Sequence, residues 1–263
     1  NMRCVKMTDK LKIYDALFTA QNLIESQYDQ NCFGLFLKGS QNYGLDIPES
    51  DVDLVALLIP THKDVLRNRK LPKKTFEYKY GLVSLMDVRE FANQLIKGSP
   101  QALELMCTEY YLITEDKNKK ALSLWQDFTR FNTNLLSRIN PKETLDALLG
   151  QLKSYRSKLE KQVGTDDKNL MHCARLSYLI VEYCKYETRK YASYLKPNVA
   201  YSTFRNAKMN EETLALADSY VDAALNAAKN CKDLHASVEF YEDWVEDYNY
   251  LDSFVEGVLS LRY

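Results

Sequence analysis

The stretch from Phe33 to Leu58 constrains this chain more than any other. It opens on a short apolar run, Phe33 to Leu37, with the length and composition of a buried strand. Gly39-Ser40 follows, where the backbone can turn tightly and present N–H groups. A polar loop with a second turn (Tyr43-Gly44) and a proline (Pro48) leads into Ser50-Asp51-Val52-Asp53. Val52, Leu54, Val55, Leu57, Leu58 and Ile59 then predict a second strand. Residues two apart on a strand face the same side, so Asp51 and Asp53 project together, roughly 6–7 Å apart at the backbone. Two adjacent carboxylates repel unless positive charge stands between them. A hard divalent cation with oxygen ligands is the usual resolution, so the stretch reads as a metal site facing a phosphate-binding turn.

Gly39-Ser40, a polar loop, then Asp51-Val52-Asp53 resembles the signature of the DNA polymerase β-type nucleotidyltransferase superfamily. The fuller wording, Gly-Ser-x-x-Tyr-Gly followed by Pro-x-Ser-Asp-x-Asp, is similar to one branch, the predicted bacterial and large-phage nucleotidyltransferases. That branch includes polymerases associated with RNA ligases in RNA repair. Phe91, Lys97-Gly98-Ser99-Pro100, Leu103-Glu104-Leu105 and Lys168-x-x-x-His172-x-x-Arg175-Leu176 extend the resemblance well beyond the acidic pair. It implies that Gly39, Ser40, Tyr43 and Ser50 bind nucleotide and that Asp51 and Asp53 hold two Mg²⁺ (or Mn²⁺) ions. It also implies a third carboxylate from a later strand, the base for the attacking hydroxyl. Aligned on Phe91 and Lys97-Gly98-Ser99-Pro100, that acid falls near Leu82 or Ser84, neither of which is one. Asp87, at the end of the same strand, is the substitute, and Glu77 a poorer second.

Composition narrows the rest. Of 263 residues, 46% are hydrophobic and 27% charged, ordinary for a globular chain with a real core. The net charge of −1 gives no global basic field, so a nucleic-acid partner would have to be met by a local patch. The six cysteines show no Cys-x-x-Cys spacing and are expected to be reduced thiols. No apolar run approaches the ~20 residues of a membrane span and no signal peptide opens the chain, so a cytoplasmic protein without a membrane partner is expected.

In chain order, Thr8 or Asp9 can cap a first helix carrying Leu11, Tyr14, Leu17, Phe18 and Ile24 on one face. Lys63, Arg67, Arg69, Lys70, Lys73 and Lys74 form a basic segment, either a solvated loop or a triphosphate or nucleic-acid contact. Two short strands with a bend at Gly81 lead to a helix over 88–96 that Gly98 terminates. Ser99 and Pro100 start the next one, and Asn210 is expected to cap a later helix. From Asp116 the chain reads as helical to its end. There Lys168, His172 and Arg175 share one helix face by their i, i+4, i+7 spacing. They read either as a surface stripe with a core histidine or as side chains reaching nucleotide phosphates. Tyr201, Phe204, Arg205 and Lys208 lie in a loop that can pack internally or stack on a base.

The expected architecture is an α+β fold. An α/β nucleotidyltransferase core with a mixed β-sheet, residues 1–115, precedes an all-α helical domain, residues 116–263. The expected activity is Mg-dependent transfer of an NMP from an NTP to an acceptor hydroxyl, with pyrophosphate released. An RNA 3′ end, a tRNA, a protein side chain and a small molecule all remain open as acceptors. A catalytically impaired nucleotide-binding protein of the same fold is the alternative.

Overall fold

The structure, a computed structural model, describes residues 2–28, 32–45, 50–71, 74–114, 119–132, 141–164, 166–185, 210–235 and 243–262. Helix α1 (Met2–Tyr28) leads to strand β1 (Cys32–Lys38), the one-turn helix α2 (Ser40–Tyr43) and strand β2 (Asp53–Leu58). Then come α3 (His62–Leu66), β3 (Thr75–Tyr78), β4 (Gly81–Asp87), α4 (Val88–Ile96), α5 (Pro100–Cys107) and β5 (Tyr111–Ile113). The described residues after β5 are helical: α6 (Lys120–Asn132), α7 (Pro141–Glu160), α8 (Asp166–Tyr183), α9 (Glu211–His235) and α10 (Asp243–Ser260). The five strands form one mixed sheet in the order β3-β4-β2-β1-β5. β2 runs parallel to β4, while β1 is antiparallel to both β2 and β5. This is the expected α+β arrangement, a mixed sheet followed by helices.

Alternation along the strands splits the core between the two sheet faces. Leu35, Leu37, Leu54, Ala56, Leu58, Val83 and Leu85 face α1, which meets them with Ile13, Ala16, Leu17, Ala20 and Ile24. Of the expected stripe on α1, Leu17 and Ile24 are buried there. The small residues Ala16 and Ala20 let the helix lie close to the sheet, and Leu11, Tyr14 and Phe18 stay in solvent. The opposite face, with Phe36, Val55 and Leu57, shares a continuous core with the later helices. Trp125 of α6 packs 4.5 Å from Phe36, ring centre to ring centre, and Phe254 of α10 stacks on Phe128 at 4.0 Å. α7 packs against α5 and α8 against α7, which sets both across from the end of β1, where the Gly-Ser turn lies.

Several local expectations are met by specific bonds. Gly98 adopts a left-handed φ of 63° and ends α4, with its N–H bonded to Leu95 and that of Ser99 to Gln94. Pro100 opens α5, and Asn210 caps α9 through Thr213 N–H at 2.7 Å.

Candidate functional site

The turn after β1 is built from glycine because nothing else fits it. Gly39 has φ 84° and ψ −158°, a conformation open essentially to glycine alone. Gly44, in the left-handed region, closes α2 at its other end. Gln41 of α2 then reaches across the loop and donates its side-chain amide to the backbone carbonyls of Ser50 (3.3 Å) and Asp51 (3.2 Å). Lys12 of α1 also binds the Ser50 carbonyl, at 3.0 Å. The Gly-Ser turn and the acidic segment are thereby tied into one unit.

Asp51 is exposed just ahead of β2, and Asp53 is half-buried on it. Asp53 Oδ1 accepts the Leu82 N–H at 3.1 Å, and Val52 is pinned by Tyr80 and Tyr78, whose bonds are both 2.7 Å. The chain passes Gly81 so closely that a Cβ there would stand 3.1 Å from Asp51 Cβ and 3.2 Å from Asp53 Oδ1. The two carboxylates therefore sit on one side of the strand, as the spacing predicts. Burial, and then the negative charge of Asp53 and Asp51, raises the Tyr78 phenol above its ordinary value.

Across from this unit lies a cleft of about 410 Å³. Its sheet-side wall is Gly39, Ser40, Tyr43 and Asp53, and α5 contributes Gln101 and Glu104. The far wall is Gln151, Ser154, Tyr155 and Lys158 of α7 with Lys168, His172 and Arg175 of α8. Two distant sequence stretches thus face each other. At the base, Tyr43 Oη donates to Glu104 Oε2 at 2.5 Å, and Arg175 pairs with Glu104 Oε1 at 3.5 Å. The Arg175 guanidinium also lies 3.9 Å from the Tyr43 ring centre. Burial raises the Glu104 carboxyl, against the opposing pull of Arg175 and the Tyr43 hydrogen bond. His172 stacks on Tyr155 at 4.4 Å. Its pKa is held down to about 3 by burial and then by Arg175, Lys168 and Lys158, so it is neutral near pH 7. The cleft is acidic at its sheet edge and cationic on its helical wall, a layout suited to a metal-bound polyphosphate.

The remaining expected residues lie elsewhere. Ser50 is half-buried in the loop beside the cleft and contributes its carbonyl to the anchoring just described. Asp87 is not brought to the site. It pairs in register with Leu58, at the opposite end of β2 from Asp53, which is about 16 Å along the strand. There it caps α4 and is clamped by Arg89 at 2.6 Å. Lys63, Arg67, Arg69, Lys70 and Lys74 also miss the cleft; Lys70 and Asp87 line a separate hollow of about 170 Å³. Lys73 and the Tyr201–Lys208 loop lie outside the described residues.

Asp51 and Asp53 are the described carboxylates whose chemistry and placement fit a hard divalent cation. Asp51 and Asp53 with substrate phosphates suffice for one Mg²⁺, which typically takes one or two carboxylates and keeps its waters. Among the described residues no group of three His, Cys, Asp or Glu side chains gathers that could hold a metal. At the level of the acidic pair β4 carries the exposed Leu82 and then Ser84, which binds Lys38 instead.

Glu104, Tyr155, Lys158 and Lys38 were not among the residues singled out as binding groups. A signal for Tyr155 and Lys158 existed. Gln151, Ser154, Tyr155 and Lys158 repeat at i, i+3, i+4 and i+7, the same polar-stripe spacing that marked α8.

No family model matches the sequence, and no curated protein does either. Among solved structures the chain is similar to a nucleotidyltransferase-like protein from Exiguobacterium sibiricum 255-15. The identity is 14% over 92% of this chain and 90% of that one, with a TM-score of 0.30. A likeness of that order carries no argument about either fold or activity, so function rests on the residues of the cleft.

Proposed function

We propose that this protein is a nucleotidyltransferase that moves an NMP from an NTP to an acceptor hydroxyl and releases pyrophosphate. One observation carries the reading: the Gly39-Ser40 turn and Asp53 face Lys158, Lys168 and Arg175 across a single cleft. The triphosphate lies between them, its charge met by the α7 and α8 cations and oriented by the turn. A divalent cation (Mg²⁺ or Mn²⁺) on Asp51 and Asp53 would neutralise the α-phosphate and acidify the acceptor hydroxyl. The acceptor oxygen bonds to the α-phosphorus as the bond to the β-phosphate's bridging oxygen breaks. The electron pair leaves with pyrophosphate and the hydroxyl proton passes to water. Tyr155 is covered on one face by His172 and has Lys158 4.6 Å from its ring centre. It positions those cleft groups rather than stacking on the base. An RNA 3′ end or tRNA is the acceptor class to try first, on the strength of the resemblance in sequence.

Incubation with each α-labelled NTP and Mg²⁺ or Mn²⁺, with and without RNA, tests this. Label should enter an acceptor with the wild type and not with Asp51→Asn or Asp53→Asn, both of which should keep the wild-type melting temperature. Transfer by either variant at the wild-type rate would refute the reading. A second reading, a catalytically silent nucleotide binder, draws on Leu82 and Ser84 in place of a third acid. It predicts NTP-dependent thermal stabilisation without transfer.

A further inference from the structure

We propose that Lys38 supplies the positive charge that a second metal ion provides in two-metal nucleotidyl transfer, so that this site works with one divalent cation. The inference rests on the nucleotidyl-transfer reading above. Lys38 is the last residue of β1, immediately before Gly39, and it is the cross-strand partner of Asp53. Partners in register project from the same sheet face, so its side chain leaves the sheet beside the Asp53 carboxylate. It does not run out to solvent. Its ammonium donates to Ser84 Oγ at 2.9 Å, and Ser84 belongs to β4. Since β2 lies between β1 and β4, the Lys38 side chain spans β2, passing between Asp53 and Val55, the partner of Ser84.

That placement puts a fixed cation between Asp53 and the strand that would bear a third acid. Ser84 is itself braced, lying 3.3 Å from Thr75 Oγ1 of β3. A dication in the same gap would meet the ammonium at close range, with no third carboxylate among the described residues to offset the repulsion. The ammonium can instead serve the reaction directly. It has three N–H donors, Ser84 takes one, and the others can turn toward a phosphate oxygen carrying charge in the transition state. Lys38 forms no bond and moves no proton in this scheme. It holds charge where charge develops.

Mn²⁺ bound to the whole protein can be counted by electron paramagnetic resonance, with and without saturating α,β-methylene analogues of the four ribonucleotides. The expected result is one analogue-dependent Mn²⁺ per wild-type chain. The Lys38→Ala/Ser84→Asp double variant, which removes the ammonium and adds the acid, should bind two. In the labelled-NTP assay, Lys38→Gln should lose about 100-fold in kcat with KM for NTP changed by less than about threefold. Lys38→Arg should recover much of that loss. Two Mn²⁺ on the wild type, or a wild-type kcat for Lys38→Gln, would overturn the role of Lys38 and leave the nucleotidyl-transfer reading standing. No analogue-dependent Mn²⁺ at all would overturn both.

Discussion

His172 should make the protein acid-sensitive in a way that one substitution removes. In the folded state burial and the cations Arg175, Lys168 and Lys158 hold its pKa down from 6.5 to about 3. In the unfolded chain it titrates near 6.5. Between these values the unfolded state binds a proton that the folded state refuses, so stability rises with pH and is lost as pH falls below 6.5. The limiting slope is about 1.4 kcal/mol per pH unit, and at pH 5 His172 alone should have withdrawn about 2 kcal/mol. Urea unfolding at pH 7.5 and 5.0, wild type against His172→Gln, isolates this term, because the other titrating groups are common to both proteins. The wild type should lose about 2 kcal/mol more than the variant between the two pH values. The chain has three histidines, so proton NMR can follow the His172 ring directly. A His172 midpoint near 6.5 in the free protein, or equal acid sensitivity of the two proteins, would refute the account. Tripolyphosphate in the cleft should raise the midpoint, since it cancels the cations that lower it.

Two further outcomes follow from the site. Glu104→Gln and Arg175→Met should each destabilise the fold by about 3–5 kcal/mol, because each leaves a buried polar partner behind. The double variant should cost less than the sum of the two, as measured by a denaturation cycle; strict additivity would show that the pair is not coupled. Gly81→Ala would place a Cβ 2.9 Å from the Val52 carbonyl and against both aspartates. The strain should cost about 1–3 kcal/mol and lower transfer by at least about tenfold through the displaced carboxylates. Full activity in that variant would mean the acidic pair tolerates the shift.

How far the sequence alone reaches can be judged from particular residues. The glycine-only conformation at Gly39, the common side shared by Asp51 and Asp53, and the stops and caps at Gly98 and Asn210 were legible. The Lys168-His172-Arg175 spacing correctly put three groups on one face, and that face lines the cleft. Each of these depends on bonds and sterics within a few residues of chain. Asp87 ends β4 as expected, but the register sets it beside Leu58, about 16 Å along the strand from Asp53, so it cannot stand in for the third acid. On α1 the expected stripe is met by Leu17 and Ile24 but not by its other three residues. Leu11, Tyr14 and Phe18 are apolar at helical spacing, but the sheet accepts the neighbouring face, where Ala16 and Ala20 allow close approach.

The sequence by itself therefore determined the local chemistry: a turn that only glycine can make, an acidic pair on a strand, and a cationic helix face. Tertiary structure alone decided what each of these meets. It set Glu104 between Tyr43 and Arg175, brought Lys158 and Tyr155 of α7 to the cleft, sent Asp87 to the far end of the sheet, and laid Lys38 across β2 to Ser84. Those outcomes depend on strand order, register and helix packing, which are set by the burial of the whole core and leave no periodic mark on the residues they bring together.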